Sequence, residues 1–291
     1  DDWKEEINGE YTNKPLALKS LKKLFEILKS SNKYQEDIIW ILNLYQYALK
    51  KLDNDIWLLR EYTILLNKAN KTDEAIEIYK NIILELSDQA YAWHEFANIF
   101  KHRNKLLSIS MLCKAITIQP NEDFLGEIRL DLAELLLDNE QLKEGLIELT
   151  KYKKHREEKG WKTPERFQIL FSKVSDIECS SLDNKTFYES SKLEAEEYIL
   201  SNIPSTYVVL YETFKNKEGK ERLIFTDFKD IEFVTNRKKF HSLYNAKKND
   251  VFEAKLHYDN ANQRYLVLKI EKSLHTIDEI IDNAQEEIAI I

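Results

Sequence analysis

The amino-acid sequence predicts an α+β protein in separate parts. An all-α solenoid of about five helix pairs over residues 1–203 is followed by a small five-stranded β-barrel over 204–273, then an acidic helix or tail over 274–291. Three observations carry that expectation. Ile41, Ala75 and Ser108 fall 34 and 33 residues apart, and Ala48, Ile82 and Ala115 repeat the step seven residues on. The apolar spacing changes from helical to alternating at Pro204. Only 5 Gly and 4 Pro in 291 residues leave little material for long connections.

The period has a packing reason. Two antiparallel helices approach closely only where a small side chain lies at the crossing, so Thr63, Ala97 and Ala133 read as slots in first helices. Ala75, Ser108 and Gly145 are the matching slots in second helices, with Tyr62, Tyr79, Trp93, Phe96 and Leu112 among the large residues around them. In chain order, Trp3, Ile7 and Tyr11 share a helical face, and from Pro15 the pairs run about 15–30 with 33–52, 54–69 with 72–87, 89–102 with 105–118, and 122–138 with 141–158. The fifth opens at Thr163-Pro164-Glu165, with Thr as cap and Pro at the first helical position, runs to about Ser180, and pairs with 184–202.

Beyond Pro204, residues 206–214, 222–228, 231–235, 251–258 and 264–270 read as strands. Lys217-Glu218-Gly219-Lys220 turns the first hairpin and Asp259-Asn260-Ala261-Asn262 the last, while the basic, aromatic stretch Arg237 to Asn249 holds a short helix.

Asp73-Glu74-Ala75-Ile76-Glu77-Ile78-Tyr79, with Pro120 closing Ala115-Ile116-Thr117-Ile118-Gln119, resembles the tetratricopeptide-repeat (TPR) consensus. Five strands with a helical insert after the third have the connectivity of the OB fold, and Lys248-Asn249-Asp250-Val251-Phe252-Glu253-Ala254-Lys255-Leu256 resembles a strand of the ribosomal and cold-shock class. An SH3-like barrel is the competing architecture. The combination is similar to proteins of prokaryotic conflict (anti-phage) operons.

The net charge of −8 argues against a chain coated in nucleic acid. It is unevenly spread, with +4 over 204–273, −5 over the last 18 residues and −7 before them. Isolated Cys113 and Cys179 suit a reducing compartment, and with no apolar run of about 20 residues and no legible signal peptide the expectation is a cytoplasmic protein without a membrane partner. His94-Glu95-Phe96-Ala97-Asn98 lacks the second imidazole of a zinc helix, and no nucleophile elbow or phosphate loop is present, so neither enzyme activity, metal nor cofactor is expected.

Two binding surfaces remain. The TPR resemblance implies a concave groove lined by first-helix residues Trp57, Arg60, Ile64, Asn67, Tyr91, His94, Asn98 and Lys101, with Glu127, Asp131 and Glu134 from the fourth pair. That lining departs from a carboxylate clamp and suits a mixed or partly basic peptide. The cold-shock resemblance implies contact of the barrel with single-stranded RNA or DNA through Lys217, Lys220, Arg237, Lys238, Lys239, Lys247, Lys248 and Tyr265. The leading expectation is therefore a non-enzymatic scaffold holding a protein or peptide partner in the groove, with the barrel as a second contact. The alternative is a nucleic-acid-binding adaptor, and a subunit of an enzyme is a third class.

Overall fold

The computed structural model describes residues 3, 6–8, 11–13, 15–30, 36–52, 55–177 and 183–288. The chain divides into two compact units, Asp1–Ala195 and Glu196–Ile291. The second cysteine of the sequence, Cys179, lies outside the described residues.

The first unit opens differently from the helical face expected of Ile7 and Tyr11. Strands β1 (Glu6–Asn8) and β2 (Tyr11–Asn13) form a two-stranded antiparallel ladder, with Ile7 opposite Thr12. The overlooked signal is Gly9, the first of the two residues between the paired ends Asn8 and Tyr11, a position where glycine suits a tight hairpin turn. Ten α-helices then follow among the described residues: α1 (Leu16–Ser30), α2 (Ile38–Lys51), α3 (Ile56–Lys68), α4 (Thr72–Glu85), α5 (Ala90–Phe100), α6 (Lys105–Ile118), α7 (Gly126–Leu137), α8 (Leu142–Glu158), α9 (Glu165–Ser172) and α10 (Lys185–Leu200). The division between the units falls within α10, earlier than Pro204.

Side chains fix where several helices start. Asp55 Oδ1 accepts from the backbone N–H of Trp57 and Leu58 at 3.0 and 2.9 Å, capping α3, and Asn104 Oδ1 accepts from Leu107 N–H at 3.0 Å, capping α6. At α9 the register is one residue later than the sequence suggests. Pro164 is extended at the cap with ψ 162° and Glu165 is the first helical residue.

Two of the hairpins between paired helices, α3 to α4 and α7 to α8, are built alike. After α3, Asn70 takes φ 61° and Lys71 N–H returns to Leu66 O at 2.9 Å; after α7, Glu140 takes φ 60° and Gln141 N–H returns to Leu136 O at 2.9 Å. This six-to-one closure with a left-handed residue satisfies carbonyls left open at a helix end.

Each helix from α2 to α8 packs on the next, and α1 on α3, α3 on α5 and α7 on α9 also touch. The small-residue slots sit at these crossings. Thr63, Ala97, Ala133 and Ala75 have 0% of their surface exposed. Ser108 Oγ donates to Ala97 O at 2.8 Å across the α5–α6 crossing. A Cβ added to Gly145 would stand 2.7 Å from Leu137 Cδ2 and 3.1 Å from its Cγ, so α7 and α8 are as close as glycine permits.

The fifth pair is less regular than the others. Helix α9 ends at Ser172, well short of Ser180, and its buried Phe167 and Leu170 pack with Leu130, Leu149 and Tyr152 of α7 and α8. The described hydrogen bonds of α10 reach back to the earlier pairs. Ser110 Oγ of α6 donates to Ser191 O and accepts from Ala195 N–H, and Tyr188 joins Arg129 of α7 and Glu148 of α8.

In the second unit, β3 (Ser205–Lys215), β4 (Glu221–Thr226), β5 (Glu232–Thr235), β6 (Val251–Asp259) and β7 (Arg264–Lys272) form one antiparallel sheet in the order β5-β4-β3-β6-β7. The edge strands β5 and β7 approach each other, but no ladder joins them, so the sheet curls round its core without closing as a hydrogen-bonded barrel. Val208, Leu210, Leu223, Phe225, Phe233, Phe252, Ala254, Val267 and Ile270 fill that core. The segment expected to hold a short helix forms two 3-10 turns, Arg237–Lys239 and His241–Leu243, which bring Leu243 and Ala246 into the same core. The chain's acidic end forms helix α11 (Ile277–Ile288), whose Ile277 and Ile280 pack on Val209 and Val251.

Candidate functional site

Residues of α1, α3, α5 and α7 line a cleft of about 560 Å³: Lys29, Arg60, Ile64, Asn67, Tyr91, His94, Glu95, Asn98, Ile99 and Glu127. Six of the eight expected groove residues therefore converge: Arg60, Ile64, Asn67, Tyr91, His94 and Asn98. Trp57 stands at the margin, half exposed, its ring 6.3 Å from that of Tyr91. The Arg60 guanidinium lies against both rings, 5.4 Å from Trp57 and 5.0 Å from Tyr91. Lys101 is not part of the lining; it ties α5 to α7 through Glu134 at 2.6 Å.

Two of the three basic residues lining the groove, Arg60 and His94, are already engaged by carboxylates, while Lys29 is exposed. Arg60 holds Glu95 with two parallel bonds, Nε–Oε2 2.6 Å and Nη2–Oε1 3.1 Å, and Tyr79 Oη donates to the same carboxylate at 2.9 Å. His94 Nε2 is 2.5 Å from Asp131 Oδ2. Arg166 of α9 reaches Asp131 at 2.5 Å and Glu134 at 2.7 Å. Burial would raise the Asp131 carboxyl, but the hydrogen bonds and charges of His94 and Arg166 outweigh it and hold the group down at about 2. That depressed carboxylate stabilises the fold above the ordinary carboxylate range, and the contribution is lost as the pH falls through about 2.

What remains for a ligand is a mostly neutral floor. Asn98 is exposed and offers both an amide donor and an acceptor, Ile64 supplies apolar surface with the buried Ile99 behind it, and the Tyr91 ring forms a wall. Sequence reasoning missed Lys29, Glu95 and Ile99. Glu95 had a signal, since it lies 35 residues from Arg60, close to one repeat.

Of the basic set expected on the second unit, two members are held by groups within the unit itself. Arg237 is structural: its Nε donates to Glu221 at 2.6 Å and its Nη1 to the carbonyls of Leu243 and Ala246 at 2.8 and 2.9 Å. Lys220 pairs with Glu218 at 2.7 Å, and Tyr265 packs against the sheet core, 4.9 Å from the Tyr258 ring. Lys217, Lys238 and Lys247 are exposed, and Lys239 lies 5.6 Å from the Phe240 ring. Lys248 lies 5.6 Å above Tyr211, the residue left over by the bulge between Leu210 and Glu212.

Among the described residues no helix is long and apolar enough to cross a membrane. No curated protein matches the chain. Residues 56–195 match the model of a family described as "Domain of unknown function (DUF7017)". The matched stretch runs from the start of α3 into α10, so the cleft, Lys29 apart, is carried by the part of the chain that is similar to that family.

Proposed function

We propose that the protein is a non-enzymatic scaffold of the tetratricopeptide-repeat kind, whose cleft on α3 and α5 holds an extended peptide segment of a protein partner. The observation that carries this reading is the convergence of Arg60, Ile64, Asn67, Tyr91, His94 and Asn98 from successive helix pairs on one cleft. An extended chain has unpaired amides at regular intervals, and the Asn67 and Asn98 side chains suit them. Apolar contact with Ile64 and the Tyr91 ring supplies burial without demanding a charge, and the ion pairs around them hold the helices in place before a ligand arrives.

The test uses the full chain and a displayed library of random dodecapeptides. Peptides enriched on the wild-type protein are expected to bind the Asn98→Arg variant at least about tenfold more weakly, a loss of ~1.4 kcal/mol. Because Asn98 is exposed, the melting temperature should not move. Equal affinity for both proteins would place the peptide site elsewhere.

A further inference from the structure

A second cavity of about 350 Å³ lies beside the cleft, among Glu122, Phe124, Tyr152, His155, Arg156 and Trp161, and the two meet at Glu127, which lines both. Glu127 stands in the first turn of α7, and of the carboxylates around these cavities it is the one the protein itself engages least. Glu95 is held by Arg60 at 2.6 Å, Glu122 by Arg129 at 2.8 Å, and Asp123 by Lys159 at 2.8 Å. Glu127 has one long contact, 3.6 Å from Arg166, and its side chain is 73% exposed.

The second cavity is aromatic as well as polar. Phe124 and Trp161 are 68% and 47% exposed, and both line the same cavity, so their apolar surface is contiguous there. The Trp161 wall is braced. The Arg156 guanidinium lies 5.5 Å from both the Trp161 and the Tyr152 ring, and its Nε donates to Lys162 O at 2.7 Å. A braced ring loses little freedom when a ligand stacks on it. Lys29, the cation on α1, lines only the first cleft.

Resting on the cleft reading above, we infer that the partner segment continues past Glu127 into the second cavity. It sets a lysine or arginine against Glu127 and an aromatic side chain among Phe124, Tyr152 and Trp161. The partner is thus a protein segment in which a basic residue and an aromatic residue stand a few positions apart. The cation satisfies the one carboxylate left nearly free, and the ring covers apolar surface that the fold leaves open.

Dodecapeptides selected on the full chain are expected to share a basic and an aromatic residue at constant spacing. Their affinity should fall at least tenfold on Glu127→Lys, and a fresh selection on that variant should lose the basic residue. Trp161→Ala should remove the aromatic preference, with Phe124→Ala as a second variant at a still more exposed ring. Peptides that Asn98→Arg releases but Glu127→Lys, Trp161→Ala and Phe124→Ala leave bound would overturn this inference while the cleft reading stands. Peptides sensitive to Trp161→Ala but not to Asn98→Arg would contradict a continuous track. A library that yields no binder would end both proposals.

Discussion

Arg129 brings a full charge into the helical unit with 4% of its surface exposed, and its guanidinium bonds to groups outside its own helix. Its Nη1 donates to Glu148 at 2.6 Å and to Tyr188 Oη at 3.2 Å, and its Nε and Nη2 hold Glu122 at 3.1 and 2.8 Å. Glu148, with none of its surface exposed, also accepts from Tyr188 Oη and from Asn184 Nδ2, the latter at 2.7 Å. Burial pushes the Tyr188 phenol up, and the Glu148 carboxylate beside it pushes the same way. Removing one partner of such a pair leaves the other charged and dry, which costs ~3–5 kcal/mol. Arg129→Met should therefore lower the unfolding free energy by about that amount in urea titration. A loss below ~1 kcal/mol, the level of an exposed pair, would show that water reaches Glu148. None of this was legible beforehand. The partners stand 19 and 59 residues away, and a lone arginine on a helix carries no local sign of where it points.

At the scale of elements the period proved the strongest guide, because it reports packing. The helix pairs from α1 to α8 lie within a few residues of the expected ranges, and the hydrogen bonds keep the same time. Tyr45 Oη donates to Glu61 at 2.8 Å, and one repeat later Tyr79 Oη donates to Glu95 at 2.9 Å. The next positions in the series are Cys113 and Arg129, where the pattern gives way to the buried network. Where periodicity is weak, local chemistry decided. Ile7 and Tyr11 satisfy a helical spacing, yet they lie on paired strands, and Gly9 between them is the residue that suits a tight turn. Helix α10 matches the length of a second helix, yet nothing in its spacing shows that Ser191 and Ala195 would meet Ser110. The helix crossings offer a direct test. Ala97 has no exposed surface and its carbonyl receives Ser108 Oγ, so Ala97→Arg must separate α5 from α6 or bury a charge. Overpacking alone costs ~1–3 kcal/mol, and a buried unpaired charge adds to it. A melting temperature equal to that of the wild type would contradict the packing of α5 on α6.

For the whole molecule, sequence located the two folds more readily than it located the work they do. The strands of the second unit were legible from alternation, but the open edge between β5 and β7 was not, since edge pairing depends on curvature. Arg237 shows the same limit at the proposed surfaces. It belongs to a basic cluster in the sequence, yet it is consumed by Glu221 and by the carbonyls of Leu243 and Ala246. Exposed charge is a property of the folded surface, and counting lysines and arginines cannot separate a phosphate contact from an internal staple. The cleft fared better because the repeat places equivalent residues on one face whatever their chemistry. Its claim to function is tested most directly by hydrogen exchange of the full chain with and without a selected dodecapeptide. Slowed exchange is expected to concentrate in Ile56–Lys68 and Ala90–Phe100, the helices that carry Arg60, Asn67, His94 and Asn98. Protection confined to the strands between Ser205 and Lys272, with α3 and α5 unchanged, would contradict that claim.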